Sequence, residues 1–187
     1  MKQRAPLKIT SRTSSITNSF VQAIIPTVEF SADEQREALA HLAMTPDDLR
    51  CAYCGAATTD WDHLRPLVKK KRPTGYISEI RNLVPSCGPC NQSKGASDWR
   101  TWMTGKARGS PTTRNVSGIQ ERMACLNQFE TWGNVHPIAF EGMISKAAWD
   151  AYWAQLDGVL DSMRVAQEKA ATLREAIMTA IANQPAK

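Results

Sequence analysis

The chain has 187 residues, 42% of them apolar, and a formal charge of +5, which suits one main globular domain with a lobe attached. No apolar run approaches the roughly 18 residues of a membrane span, and the stretch from Phe20 to Pro26 is too short and broken by Gln22. A helical membrane protein is thus excluded, and without a secretory signal the chain is expected to be cytoplasmic.

The basic excess is local. Residues 1–50 carry six basic and six acidic side chains, residues 51–115 eleven and four, and residues 116–187 six and eight. A surplus confined to one segment marks where a polyanion would be gripped.

Residues 1–30 read as a basic, flexible N-terminal arm. Met1 to Ser19 has four basic residues and no acid, is rich in Ser and Thr, and lacks the apolar spacing of a packed helix. It could lie along a polyanion or be an unremarkable disordered terminus, and an organelle transit peptide would look similar. Residues 31–50 form a short helical lead-in. Ser31-Ala32-Asp33-Glu34 is a capping box, so a helix is expected from about Ala32 to Ala43, with Leu39 and Leu42 facing inward. His41 has no cysteine or acid at ligand spacing and reads as structural. Thr45-Pro46-Asp47-Asp48 is a second start signal, with a cap, a proline at the first position and acids on the positive dipole end.

Four of the five cysteines follow, spaced C-x2-C, thirty-two residues, C-x2-C. Two such knuckles read as a structural zinc site made by Cys51, Cys54, Cys87 and Cys90. Four unrelated thiols or two disulfides are the alternatives, although disulfides suit small secreted scaffolds. Thr58 to Leu64 has strand character, with Trp61 and His63 on one face and Asp62 on the other. Pro66 to Ile80 reads as a solvated loop, because Lys69-Lys70-Lys71-Arg72 cannot pack inside unpaired. Tyr76 there can either stack or pack. Val84-Pro85-Ser86 is a second short strand. A helix is expected from about Asn91 toward Met103, with Trp99 and Trp102 on one face.

Gly105 to Asn115 reads as a linker. Ser117-x-x-Gln120 opens a helix with Ile119, Met123, Leu126 and Phe129 on one side and Gly133 as its stop. Cys125, beside that apolar face, reads as an inert thiol. A last helix is expected from near Ser145 to about Ile181. Trp149, Leu156, Met163, Ala170 and Ile177 recur every seven residues, and Tyr152, Val159, Ala166, Leu173 and Ala180 follow each by three. One long helix lying across its own domain would give the same pattern. With no partner segment of matching length in the tail, a homodimer paired through this helix is favoured.

The residues around the knuckles carry a second signal. Asp62-His63 lies eight residues past Cys54, Asn82-Leu83-Val84 leads into the second knuckle, Asn91 follows Cys90, and Lys94-Gly95 lies just beyond. Read as D-H-x-x-P and N-L-V-P-x-C-x-x-C-N-x-x-K-G, this stretch resembles the HNH endonucleases over 48 of 187 residues. The last letter of that name is Asn91 here instead of histidine, a variant the family also uses. The resemblance implies an α+β, mostly helical fold. Its small zinc-braced ββα-metal core would span residues 51–104, with a helical extension over 105–187.

The implied activity is metal-dependent hydrolysis of DNA to 5′-phosphate and 3′-hydroxyl ends, by a restriction-type or phage-type endonuclease. Asp62 and Asn91 would be oxygen ligands of a hard ion, Mg²⁺ or Mn²⁺. His63 would be the general base, unprotonated enough near neutral pH to take a proton from water. Asn82 would orient that histidine through the backbone, and Lys94, one turn past Asn91, would offer a fixed charge to the phosphate. In the family irregular geometry unites the aspartate and histidine, so a bulge or twist is expected at Asp62-His63. Lys69, Lys70, Lys71 and Arg72 would grip the DNA backbone. A non-catalytic zinc module that binds nucleic acid is the alternative, and it could dispense with Asp62, His63, Asn91 and Lys94.

Overall fold

A computed structural model describes residues 5–184, which form two compact units. One is Val21–Ala139; the other joins the segment ending at Phe20 to the segment starting at Phe140. Met1 to Arg4 of the expected arm lie outside the described residues, as do residues 185–187. The fold is α+β and mostly helical. Among the described residues no helix is long and apolar enough to cross a membrane.

The arm is more ordered than its composition suggests. A 3-10 turn at Ile9–Arg12 leads into α1, Thr13–Ala23. Its apolar partner comes from the far end of the chain, from α7, Lys146–Ala182. The Phe20 and Tyr152 rings lie 5.6 Å apart, the Tyr152 hydroxyl donates to the Phe20 carbonyl at 2.7 Å, and Ile9 N donates to Gln167 Oε1 at 2.7 Å. Composition misread this stretch because the face that orders it is more than a hundred residues away.

The long helix starts where it is expected, with Ser145 Oγ capping it by accepting from Ala148 N at 3.2 Å. At 37 residues it is about 55 Å long. Trp153 and Leu156 are buried in its first half, and Tyr152 of the heptad pattern is taken up by Phe20. Leu173, Ile177, Met178 and Ile181 in its last turns are all at least half exposed.

In the other unit α2, Ala32–His41, carries the predicted capping box: Glu34 N donates to Ser31 Oγ at 3.2 Å and Ser31 N to Glu34 Oε2 at 2.7 Å. The predicted helix at Thr45–Asp48 is instead a turn closed by Asp48 N on Thr45 O at 3.1 Å, with the two residues bridged in antiparallel fashion. Its cap and proline serve that turn equally well. β1, Asp60–His63, is followed by a hairpin of β2, Val68–Lys69, and β3, Arg72–Pro73. After a 3-10 turn at Ile80–Asn82 comes β4, Leu83–Ser86, antiparallel to β1. The pairing runs Asp60 to Ser86, Trp61 to Pro85, Asp62 to Val84 and His63 to Leu83, without a bulge.

The single helix expected from Asn91 to Met103 is two: α3, Gly88–Lys94, and α4, Trp99–Thr104. Gly95 breaks it with a positive φ, and Asp98 recaps it by accepting from Thr101 N at 2.9 Å. α5, Ile119–Gly133, and a short α6, Phe140–Met143, complete the order. Tyr53, Leu64, Val84, Trp99, Trp102, Met103, Leu126 and Phe129 form the core of the larger unit. Gly133 ends α5 for a reason of space: a Cβ there would sit 2.7 Å from the Arg81 carbonyl. The left-handed residue that stops the helix is Asn134.

The loop over Lys69–Arg72 is thus a two-residue hairpin turn, with Lys70 at φ 49° and Lys71 at φ 63°. Positive φ at both central residues is what a tight hairpin requires, and Asn-Gly satisfies it with less strain. Replacing Lys70→Asn and Lys71→Gly together should stabilise the fold by about 1 kcal/mol, read from urea unfolding. A lower unfolding midpoint would contradict this account of the turn.

Candidate metal centre and active site

The first knuckle is a turn in which Gly55 N donates to Cys51 O at 2.8 Å while Gly55 takes a left-handed φ of 75°. Ala52 N reaches Pro85 O of β4 at 2.8 Å, anchoring the turn to the sheet. The second knuckle begins α3, with Cys87 at its N-cap and Pro89 in the first turn, where its missing N–H costs nothing.

All five cysteines are free. The sulfurs of Cys51, Cys54, Cys87 and Cys90 lie within 4.8 Å of one another. Zinc–sulfur bonds of about 2.3 Å in a tetrahedron place sulfurs about 3.8 Å apart. The Cys54 and Cys87 sulfurs are 3.7 Å apart, far beyond a disulfide bond. The four side chains are therefore positioned as a metal site, and paired disulfides are excluded. A hydrogen bond from Cys90 holds the Cys51 thiol down at about 4, while Cys90, on the donating side, is pushed up. Burial pushes up Cys87. Crowded thiols resist losing their protons together unless a cation compensates, and a metal ion is such a cation.

The Asp62-His63 pair lies on regular strand, so its two side chains point to opposite faces. The expected bulge is absent because every β1 residue has a β4 partner. Asp62 faces inward and is 7% exposed. Its Oδ2 accepts from the Tyr53 hydroxyl at 2.7 Å and from Lys94 Nζ at 3.0 Å. Burial, then the Asp62 charge, raises the Tyr53 pKa well above the usual phenol range, which keeps its proton in place for this bond. Oδ1 makes no hydrogen bond among the described residues.

Lys94 is enclosed by the fold. It is 1% exposed, and its ammonium is shared among Asp62 Oδ2, the His63 carbonyl at 2.9 Å and the Gly95 carbonyl at 3.4 Å. It fastens α3 to β1 at the Asp-His pair.

His63 Nε2 lies 3.0 Å from Ser78 Oγ, which leaves Nδ1 as the other ring nitrogen. Burial lowers its pKa, against the opposing pull of Asp62, and so favours the neutral ring. Asn82 is fully buried and clamps the chain just past His63: its carbonyl accepts from Leu64 N, its Oδ1 from Arg65 N (both at 2.8 Å), and its Nδ2 donates to Arg65 O at 3.1 Å. Asn91 is half-buried, one residue past Cys90, and its amide makes no hydrogen bond among the described residues. Lys69, Lys70, Lys71 and Arg72 are exposed on the hairpin.

Residues 51–97 match the family model of the HNH endonucleases. No curated protein and no solved structure matches the chain. The HNH match begins on the first knuckle cysteine and ends just past Lys94, so it takes in both knuckles, β1, the hairpin, β4 and α3. Two residues of the matched segment carry contacts that the sequence does not single out. Tyr53 is a plausible inward residue only because it lies between knuckle cysteines. Ser78 has no sequence signal; it is positioned by parallel pairing with Thr27, where Val28 N donates to Ser78 O at 2.8 Å.

The Lys94–Asp62 pair is buried, so removing one member strands the other's charge. Lys94→Ala should destabilise the protein by about 3–5 kcal/mol, measured by denaturant unfolding, and adding Asp62→Ala should recover part of the loss. A double variant as unstable as the sum of the singles would remove the coupling.

Proposed function

We propose that this protein is a metal-dependent DNA endonuclease of the HNH type, with a zinc ion in the four-cysteine site as a structural brace. The observation that carries the reading is Lys94. A helix opened by two knuckle cysteines sends its ammonium to Asp62 at 3.0 Å and to the His63 backbone at 2.9 Å, so the brace, the candidate ligand and the candidate base are mechanically one piece. The brace itself does no chemistry.

When bound, Mg²⁺ or Mn²⁺ supplies Lewis acidity to the scissile phosphate and the departing 3′ oxygen. Asp62 Oδ1 and the Asn91 amide oxygen are hard donors that fit such an ion. The bonds to Tyr53 and Lys94 fix the Asp62 carboxylate, so little reorganisation accompanies binding. His63, neutral and held at Nε2 by Ser78, takes a proton from the attacking water at Nδ1. Asn82 keeps the backbone behind it from shifting. The products are a 5′-phosphate and a 3′-hydroxyl. Lys69 to Arg72, on a protruding turn, grip the backbone of the substrate, and each phosphate they neutralise steepens the salt dependence of binding. A restriction-type or phage-type role suits such an enzyme.

One observation favours a second reading, a zinc-braced module that binds nucleic acid without cutting it. Asp62 is already neutralised by Lys94, which weakens its claim as a cation ligand.

The last turns of α7 bear on subunit arrangement. Leu173, Ile177 and Ile181 recur every four residues along one face and are all at least half exposed. We infer that a second copy covers this face, which would give two centres for two strands.

Incubation with supercoiled plasmid and Mg²⁺ separates the first two readings. Nicking is expected from the parent protein, with a loss of at least about 100-fold for His63→Ala and plasmid binding unchanged in a gel-shift assay. Equal nicking by both proteins removes His63 as the base, and binding without nicking by either favours the module. Sedimentation velocity should show a dimer that Leu173→Glu with Ile177→Glu converts to monomer. A monomeric parent rules out the pairing.

A further inference from the structure

Residues 105–115, which the sequence presents as a linker, form a fixed strap beside the cysteine site. Ser110 is fully buried; its hydroxyl donates to Gly105 O at 2.7 Å and accepts from Thr113 N at 3.2 Å. Thr112 donates through Oγ1 to Met103 O at 2.8 Å, and Arg114 N reaches Ser110 O at 3.1 Å. Gly109 presses so closely on α3 that a Cβ there would lie 2.5 Å from Ser93 Oγ. That same Ser93 oxygen accepts from Trp102 Nε1 at 3.0 Å. The strap is thereby docked on the helix that carries Cys90, and it ends by placing Arg114 Nη1 3.2 Å from Cys90 Sγ.

We propose that Arg114 is an outer-sphere partner of the zinc centre, donating to the Cys90 thiolate and so holding the metal in place. The inference rests on the zinc reading above. Four thiolates around Zn²⁺ leave a net charge of −2, and the excess sits on sulfur. A guanidinium N–H pointed at one sulfur draws that charge away, which makes the thiolate a poorer base and a poorer nucleophile. Protonation and oxidation, the two routes by which a thiolate lets go of zinc, are both slowed. Cys90 is the effective place for such a guard, because the next residue is Asn91. A Cys90–metal bond that opens frees the start of α3, and the candidate ligand moves with it. Partners of this kind are worth about 10–100-fold in metal affinity.

The test uses the full chain and reads metal directly. Parent, Arg114→Gln, Arg114→Lys and Arg108→Ala proteins are loaded with zinc and assayed for metal content. Release to a colorimetric chelator is then followed, and the Co²⁺-substituted forms are compared by their sulfur-to-cobalt charge-transfer band. Arg108 is exposed on the same strap and makes no contact with sulfur, so its loss changes the charge alone. Arg114→Gln is expected to bind one zinc per chain yet release it at least about 10-fold faster, with a shifted charge-transfer band. Arg114→Lys should restore part of both, and Arg108→Ala should match the parent. Unchanged release and an unchanged band in Arg114→Gln overturn the assignment, as does Arg108→Ala moving both equally. A parent protein that takes up no zinc overturns the centre itself, and the role of Arg114 with it.

Discussion

Four sulfurs gathered within 4.8 Å are the constraint on which the candidate site depends. The sheet they brace has two strands of four residues each, and an isolated two-stranded sheet is marginal in water. The helix they open has seven residues, too few to persist alone. Neither element can position a side chain by its own stability. The cysteines solve this by making one knuckle the lead-in to β1 and the other the first turn of α3, so that closing the cluster docks helix on strand.

The cysteine cluster and the candidate site are joined through Tyr53 and Lys94. Tyr53 sits inside the first knuckle and bonds Asp62; Lys94 ends the helix of the second knuckle and bonds the same oxygen. Asp62 is therefore held from both halves of the cluster. A buried ion pair of this kind is costly to assemble and weak as a source of stability. Its value lies in discrimination, since a misdocked helix would leave two charges buried and unpaired. The arrangement also separates roles that the family resemblance had merged. Lys94 bonds Asp62 and the His63 carbonyl, Asn82 holds the chain beyond His63, and Ser78 bonds the ring.

The unit built from the two chain ends follows different physics. Its long helix is sheltered over its first half by the turn and helix at the start of the chain, and open over its last turns. Apolar side chains on that open face gain nothing from the described residues, which is why a second copy is the proposed cover. In the larger unit the segment before α2 positions Ser78, since its pairing there sets where the hydroxyl beside His63 stands.

What could be read from residue order alone was whatever is settled within a few residues. The capping box at Ser31, the knuckle spacings and the extent of the long helix all came through, because a hydrogen bond to the third residue, a close cysteine pair or a helical periodicity is written locally. The break between α3 and α4 was equally local, in Gly95 and the Asp98 cap, and was overlooked. Other features depended on partners far along the chain: α1 on Tyr152, Ser78 on Thr27, Arg114 on Cys90, Lys94 on Asp62. Residue type announced charge or a hydroxyl at those positions, but burial decides what a charge does, and burial exists only once the chain has closed on itself. That is why sequence named the candidate site residues, and tertiary structure decided which of them are buried and what each one bonds.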